Sequence, residues 1–385
     1  MNLHPSVETL KELVSINSVN PFFGGPGEVA YVDYLEQRCN KRGIKNTRVK
    51  VLPGRDNLIM EARCGHAENV LLFESHMDIV SVKGMEAPFD PVIRDGKLWG
   101  RGSCDTKATM AGMLYALEYA AKYPDEFACD IVLVAAIDEE HGFAGALHLA
   151  QNLHEIEGKV TGAVVGEPTE MQVVIAHKGV SRFTVETHGV AAHTAVPELG
   201  TNAISAMRKV IAFFEDHYFP QLEKTYHPLC GKATGVVSMI NGGVQINMVP
   251  PSCSIDIDRR VLPGENSTEV LEDIKKQLAE YLKEQNVSYE VRPLLLDAAL
   301  NTSPDAAISE AAVKTASQLQ ISPDLIGVPY GTDASKLQHE AAIPGIVFGP
   351  GTINVAHTPN EFVPIDEVEK AAEFYLQLAK NFGRK

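Results

Sequence analysis

Apolar and polar positions change their spacing twice along this chain. In SVETLKELVSI (6–16) and VAYVDYLEQRCNKRG (29–43) the apolar residues recur as on one side of a helix, and Gly43 stands where a closing C′ glycine is expected. Two strands are predicted near 46–52 and 57–63. ATMAGMLYALEYAAKY (108–123) is rich in helix formers, and AGALHLAQNL (144–153) reads as a further helix. DIVLVAAIDEE (130–140) and TGAVVGEPT (161–169) begin as continuous apolar runs, the pattern of strands buried on both faces. LLFESHMDIV (71–80) begins the same way. Strands alternating with helices predict an α/β architecture built on a layered, mostly parallel sheet.

After about residue 176 the texture changes. RFTVETHGV (182–190) alternates polar and apolar, as a half-exposed antiparallel strand does. A helix near 202–218 follows, then strands near 235–242 and 252–262. The amphipathic STEVLEDIKKQLAEYLKEQ (267–285) is expected to be capped by Ser267 or Thr268, and one more strand lies near 288–296. The α/β texture then returns, with a helix at 306–319, a strand at 345–349 and a closing helix at 366–382. The expected organisation is one domain from 1–176 and 295–385, with an α+β domain at 177–294 inserted into it.

Composition narrows the class. A chain of 385 residues is too long for one ordinary core and suits two domains. Hydrophobic residues make up 45% and charged residues 22%, as in ordinary globular proteins. No apolar run approaches the roughly 20 residues that span a bilayer, so no membrane partner is expected. MNLHPSVETLKELVSI lacks a basic stretch followed by an apolar block, so no signal peptide is expected. The net charge of −16 argues against nucleic-acid binding. Six cysteines without a CxxC pair point to reduced thiols and a cytoplasmic location.

The candidate chemistry sits where apolar runs end. His76 and Asp78 follow Leu71–Phe73 and, two apart on a strand, face the same way. They read either as a surface histidine beside a loop aspartate or as a metal ligand with its orienting carboxylate. WGRGSCDTKATMAG (99–112) places Asp105 in a glycine-flanked loop before a helix. AIDEEHG (136–142) and VVGEPTE (164–170) supply Glu139, Glu140 and Glu167 after buried strands, and NVAHTPNEF (354–362) supplies His357. Ligands of open α/β sheets bind beyond the carboxyl ends of the strands, so these distant loops can converge. Two imidazoles and several carboxylates without thiolate suit zinc, with cobalt or manganese as substitutes. They are enough for a two-metal hydrolytic site. At a fraying strand end one of Glu139 and Glu140 can ligate while the other faces a bound water.

SHMDIV, GRGSCDTK, IDEEHG, VGEPT and NVAHTPNEF match, in order, the site motifs of a known family. The chain resembles, over essentially its whole length, the dizinc amidohydrolases that include acetylornithine deacetylase, succinyl-diaminopimelate desuccinylase, aminoacylase and glutamate carboxypeptidase. That resemblance implies a zinc-peptidase-type sheet with an inserted dimerisation or lid domain, two Zn2+ per subunit and a homodimer. It implies that His76 and Glu167 hold one zinc, Glu140 and His357 the other, and Asp105 bridges them. Asp78 would orient His76, and Glu139 would be the general base. His193, in HGVAAHTAVPELGTNAI (188–204), would reach across the dimer to stabilise the oxyanion. Asn247 and Arg260, or Arg259 in its place, would help bind the substrate carboxylate or the oxyanion. Gly331 and Thr332 in YGTDAS, with Gly349 in GPG, would cradle the substrate carboxylate. Thr106 and Ala108 depart from the family, which more often has Met and Gly there.

The implied reaction is hydrolysis of the amide bond of a small N-acyl amino acid by a zinc-activated water. Glu167, DRRVLPG and GTDAS favour the acetylornithine-deacetylase type. A metallo-dipeptidase, carboxypeptidase or desuccinylase on the same site is the nearest alternative. A non-catalytic dimeric binding protein is the reading from a different class.

Overall fold

The structure is a computed structural model that describes residues 3–384. The chain divides into two compact units, one of residues up to 175 with 302–326 and from 332 onward, the other of 176–301 with 327–331. The return to the first unit therefore falls at 302 rather than 295, and a five-residue segment rejoins the second unit later.

In the first unit, α1 (Pro5–Val14) buries Val7, Leu10, Leu13 and Val14, and α2 (Val29–Arg42) ends at Gly43 in a left-handed conformation, φ 67°. The strands β1 (Lys45–Leu52), β2 (Arg55–Ala62) and β3 (Val70–His76) precede α3 (Lys107–Lys122). Then come β4 (Asp130–Ala136), α4 (Ala144–Gln151), β5 (Val160–Val165) and β6 (Val173–His177). Along β3 and β4 every residue is buried, which is why their sequences show no alternation.

The second unit begins along β6 and contains β7 (Gly179–His188), α5 (Ala203–Ala212), β8 (Thr234–Gly242), β9 (Ser252–Val261), α6 (Ser267–Leu282) and β10 (Ser288–Asp297). Its antiparallel sheet has the order β8-β9-β7-β10. Phe183 and Val185 of β7 and Ile255 and Ile257 of β9 share a core with Met207 and Val210 of α5 and Leu271, Ile274 and Leu278 of α6. The helix expected over 202–218 breaks off at Ala212 and continues as a π-helical turn, Phe213–Tyr218, with Phe213, Phe214 and Tyr218 buried. The cap of α6 is Asn266, not Ser267 or Thr268. Its Oδ1 accepts the N–H groups of Thr268 and Glu269 at 2.9 and 3.1 Å, so the hydroxyl residues lie one step inside the helix.

The first unit resumes with α7 (Ala307–Gln318), α8 (Ala334–Ala341), β11 (Gly345–Val347) and α9 (Ile365–Asn381). Its main sheet runs β1-β2-β4-β3-β5-β11-β6. The pairs β4·β3, β3·β5 and β5·β11 are parallel, while β1·β2, β2·β4 and β11·β6 are antiparallel. The sheet is thus parallel at its centre and mixed overall. A small antiparallel sheet joins Val92–Arg94, Lys97–Trp99 and Phe362–Pro364.

Candidate active site

The parallel centre of the sheet aligns three strand ends. His76 is the last residue of β3 and lies opposite Ala136 of β4, and Glu74 lies opposite Val165 of β5. Glu139 and Glu140 follow the end of β4, and Glu167 lies two residues past Val165 as His76 lies two past Glu74. The register alone therefore delivers an imidazole and three carboxylates to one edge. Asp105 arrives from the loop before α3 and His357 from the loop before Phe362–Pro364.

Asp105 sits between the two histidines. Its Oδ1 is 3.2 Å from His76 Nε2, and its Oδ2 is 3.1 Å from His357 Nε2. His76 Nε2 lies 3.7 Å from Glu167 Oε1, and His357 Nε2 lies 3.2 Å from Glu140 Oε1. Two groups, His76–Glu139–Glu167 and His76–Asp105–Glu140, hold their ligand atoms within 4.8 Å of one another. This donor set of imidazole and carboxylate fits divalent zinc or a similar cation.

The electrostatics agree. Burial pushes the Asp105 carboxyl up, but hydrogen bonds from His357 and His76 outweigh it and hold the group below the usual carboxylate range. Burial, with the nearby Asp105 charge, pushes Glu140 up to about 7. Burial likewise pushes Glu139 up to about 8, against the pull of His76 and with the push of Glu140 and Asp105. Glu167 is raised well above the usual range, by burial first and then by Asp105. His357 rises to about 10 through its hydrogen bonds to Asp105 and Glu140. Carboxylates packed this tightly need cations among them to ionise together.

Asp78 meets His76 through its backbone and uses its carboxylate elsewhere. His76 Nδ1 is 2.9 Å from the Asp78 carbonyl oxygen and 3.7 Å from its carboxylate, so the backbone orients the ring. A Nδ1–H given to that carbonyl leaves Nε2 as the ligating lone pair. The Asp78 carboxylate instead accepts the N–H groups of Glu139 and Glu140 at 3.0 and 3.1 Å and Nδ2 of Asn20 at 2.8 Å. Asn20 also donates to Asp138 Oδ1 at 3.0 Å, which takes Arg55 Nη1 at 2.8 Å as well. Asp138 stands at φ 69° and His357 at φ 60°, a conformation uncommon outside glycine. The Asn20–Arg55 clamp explains how Asp138 is held there. No sequence reading singled out Asn20; its only signal is a polar residue before a proline turn. Thr106, one of the departures, places its hydroxyl 3.2 Å from the His76 carbonyl oxygen and 3.2 Å from Ser75 Oγ. Ala108, the other, is fully buried in α3.

The expected substrate residues fall in several places. His193, Asn247 and Arg260 belong to the second unit. His193 is exposed and its Nδ1 accepts the Ala195 N–H at 3.0 Å, so Nε2 carries the ring proton. Asn247 is exposed, and Arg260 pairs with Asp258 at 2.8 Å. Arg259 points to the other face of β9, where it is buried and bound to Glu265 at 2.6 and 3.1 Å. It is not free for a substrate. Gly331 lies in the second unit and Thr332 in the first. Thr332 lies just before α8: its Oγ1 accepts the Ala334 N–H at 3.2 Å and its carbonyl accepts Ser335 Oγ at 3.1 Å. Gly349 offers no free donor, because its N–H goes to Thr169 Oγ1 at 3.1 Å. It is a packing glycine, since a Cβ there would lie 2.4 Å from the Glu167 carbonyl oxygen.

An α/β unit with a converging imidazole–carboxylate cluster at its strand ends defines the protein as a hydrolase of the metallopeptidase type. Residues 72–381 match Peptidase family M20/M25/M40, and the chain belongs to that family. It is 28% identical over 392 residues to acetylornithine deacetylase of Myxococcus xanthus, covering 97% of this chain and 96% of that one. It is also 28% identical over 408 residues to a "Probable succinyl-diaminopimelate desuccinylase" of Staphylococcus epidermidis, covering 98% of both. In fold it resembles the crystal structure of a tripeptidase from Staphylococcus aureus, with a TM-score of 0.81 at 21% identity over 100% of both chains. No helix among the described residues is long and apolar enough to cross a membrane.

Proposed function

We propose that the protein is a two-metal amidohydrolase that cleaves small N-acyl amino acids, of the acetylornithine-deacetylase type. The observation that carries this is Asp105, whose two carboxylate oxygens each face a different histidine. His76 and Glu167 would hold one metal, Glu140 and His357 the other, with Asp105 between them. Zinc suits the donors, and cobalt or manganese would substitute. When bound, the metals supply Lewis-acid polarisation and acidify an attacking water.

The chain's own residues do the rest. Glu139 sits beside the cluster at the end of β4, its carboxyl pushed up by burial, and acts as the general base. It takes the proton of the attacking water and delivers it to the departing amine. Asp78 anchors the backbone that carries both this base and the ligand Glu140 by accepting the Glu139 and Glu140 amides. His193 presents Nε2–H as a donor for the developing oxyanion, reaching it from the second copy of a homodimer. The dimer follows from the resemblance, and β8, an edge strand of the second unit with exposed Val236, Met239 and Ile240, offers it a surface. Arg260 and Asn247 are the candidates for the substrate carboxylate. The six cysteines are all free thiols, as a reducing cytoplasm would keep them.

Similarity to the acetylornithine deacetylase over 97% of the chain, and Glu167 rather than Asp, support the acetyl substrate. The equal identity to the desuccinylase keeps a succinyl substrate as the second reading. The test is amine release from N-acetyl amino acids including acetylornithine, N-succinyl-diaminopimelate and X-Glu or X-His dipeptides, with zinc or cobalt added. Cleavage of N-acetyl amino acids alone is the expected result; cleavage of dipeptides alone would overturn the deacylase reading. Glu139→Gln should lower turnover by about 10²–10⁴-fold while metal content stays unchanged. Comparable turnover in that variant would remove Glu139 from the base role.

A further inference from the structure

The Asp105 and His357 loops lie 252 positions apart in sequence (357 − 105), yet their ligands must meet within hydrogen-bond distance. Two connections tie them. The first is the small sheet, in which Phe362 pairs with Trp99 and Val363 with Leu98. The second is Glu361, four residues past His357 and directly before that strand. Its Oε1 accepts the N–H groups of Cys104 at 2.9 Å and Asp105 at 3.1 Å. Its Oε2 accepts the Gly102 N–H at 3.0 Å and Arg101 Nη1 at 2.6 Å. The Glu361 and Arg101 side chains are 1% and 2% exposed. Arg101 in turn donates Nη2 to the Ser81 carbonyl at 3.0 Å.

We propose that Glu361 is a positioning residue for the metal centre: its one carboxylate fixes the Asp105 peptide against the His357 loop and so sets the span over which the second metal is held. This rests on the two-metal reading above. Four donors converge on a single buried carboxylate, and three are backbone amides of the loop that carries Asp105. A buried carboxylate needs its lone pairs filled for stability in any case; what distinguishes this one is that the donors come from the loop that carries Asp105. The amide contacts give the carboxylate a second task, because the Asp105 N–H is itself one of the four. With that N–H bound, the Asp105 backbone cannot turn, and its side chain stays between the two histidines. Removing support of this kind costs metal sites about 10–100-fold in affinity.

Glu361→Gln keeps the size of the side chain but replaces one accepting oxygen with an NH2 group. That group then faces either the Cys104 and Asp105 amides or Arg101, donor against donor. The experiment is calorimetric titration of chelator-treated protein with Zn2+, wild type beside Glu361→Gln, with thermal melts of both. The wild type should take up two metals. The variant should bind metal more weakly, by at least tenfold for the second ion, because Asp105 is shared and the substitution uncouples it from the His357 loop. Wild-type affinity at both sites with only a lowered melting temperature would show that Glu361 is structural and would overturn the proposal. A wild type that binds fewer than two metals would instead defeat the two-metal reading.

If the variant does not fold, hydrogen exchange on the wild type decides. The Cys104 and Asp105 amides should be protected in the chelated protein, because Glu361 rather than metal holds them. Free exchange that stops only when metal is added would overturn the proposal.

Discussion

The two sheets of this protein use strands in opposite ways. In the first unit β3 and β4 are buried at every residue, so before His76 no side chain along them reaches a partner or a substrate. Function is displaced to the strand ends, where His76, Glu139, Glu140 and Glu167 leave the apolar run. In the second unit β9 alternates buried and half-buried positions, and β8 at the edge is exposed along most of its length. There the strand itself is the surface on offer. A strand covered on both faces concentrates chemistry at its carboxyl end, while a strand covered on one face keeps a side available for docking.

The strongest way to break that contrast is to empty the first sheet. Phe73 is fully buried in β3 and packs edge-on against Tyr375 at 5.7 Å between ring centroids. Phe73→Ala should cost about 3–5 kcal/mol, read as a lowered urea midpoint. Because Phe73 lies three residues before His76, the variant should also bind zinc more weakly. Unchanged metal affinity would mean that the strand end is held by its loops and not by the core beneath it. A smaller effect is expected at Asn266, which caps α6 in the second unit. Asn266→Ala leaves the Thr268 and Glu269 amides without their acceptor and should cost about 1 kcal/mol in the same measurement. Metal uptake should not change, since the cap belongs to the unit without ligands.

The contrast also explains what could be read from the sequence. The residues of the cluster were legible because a polar residue at the end of an apolar strand breaks a regular pattern. His76, Glu139 and Glu167 each do this. The mixed character of the sheet was not legible, because an antiparallel β2 buried among neighbours looks like a parallel one. Asn20 and Glu361 were not legible either. Each lies in a loop with no period to interrupt, and each acts through the backbone amides or carboxylates that the fold happens to bring to it. For the same reason the second task of Asp78 was hidden: spacing showed that it shares a face with His76, not that its carbonyl would meet the ring while the Glu139 and Glu140 amides took its carboxylate. The helix that starts at Ala334 was hidden because GTDAS carries the composition of a turn.

The smallest expected change in subunit stability tests the docking half of the contrast. The segment TGVVSMINGGVQIN, 234–247, contains no charged residue and no proline, although the chain as a whole carries a net charge of −16. Val236, Met239 and Ile240 on β8 are 53%, 56% and 57% exposed, and Val244 and Ile246 beyond it are more so. An uncharged, apolar edge strand invites pairing unless something covers it. A second copy of the same strand meets no charge repulsion at this patch, unlike most of the acidic surface. Ile240→Asp places a charge at the centre of the segment, opposite Ile255 on one side and nothing on the other. It should alter the stability of the subunit by no more than about 0.5 kcal/mol, because the side chain is already in water. Light scattering should nevertheless show a dimer becoming a monomer. If the partner subunit's His193 completes the site, activity should fall with the dimer while two zincs remain bound. A dimer that survives Ile240→Asp would place the interface elsewhere, and a wild type that is already monomeric would return His193 to the role of an exposed loop residue.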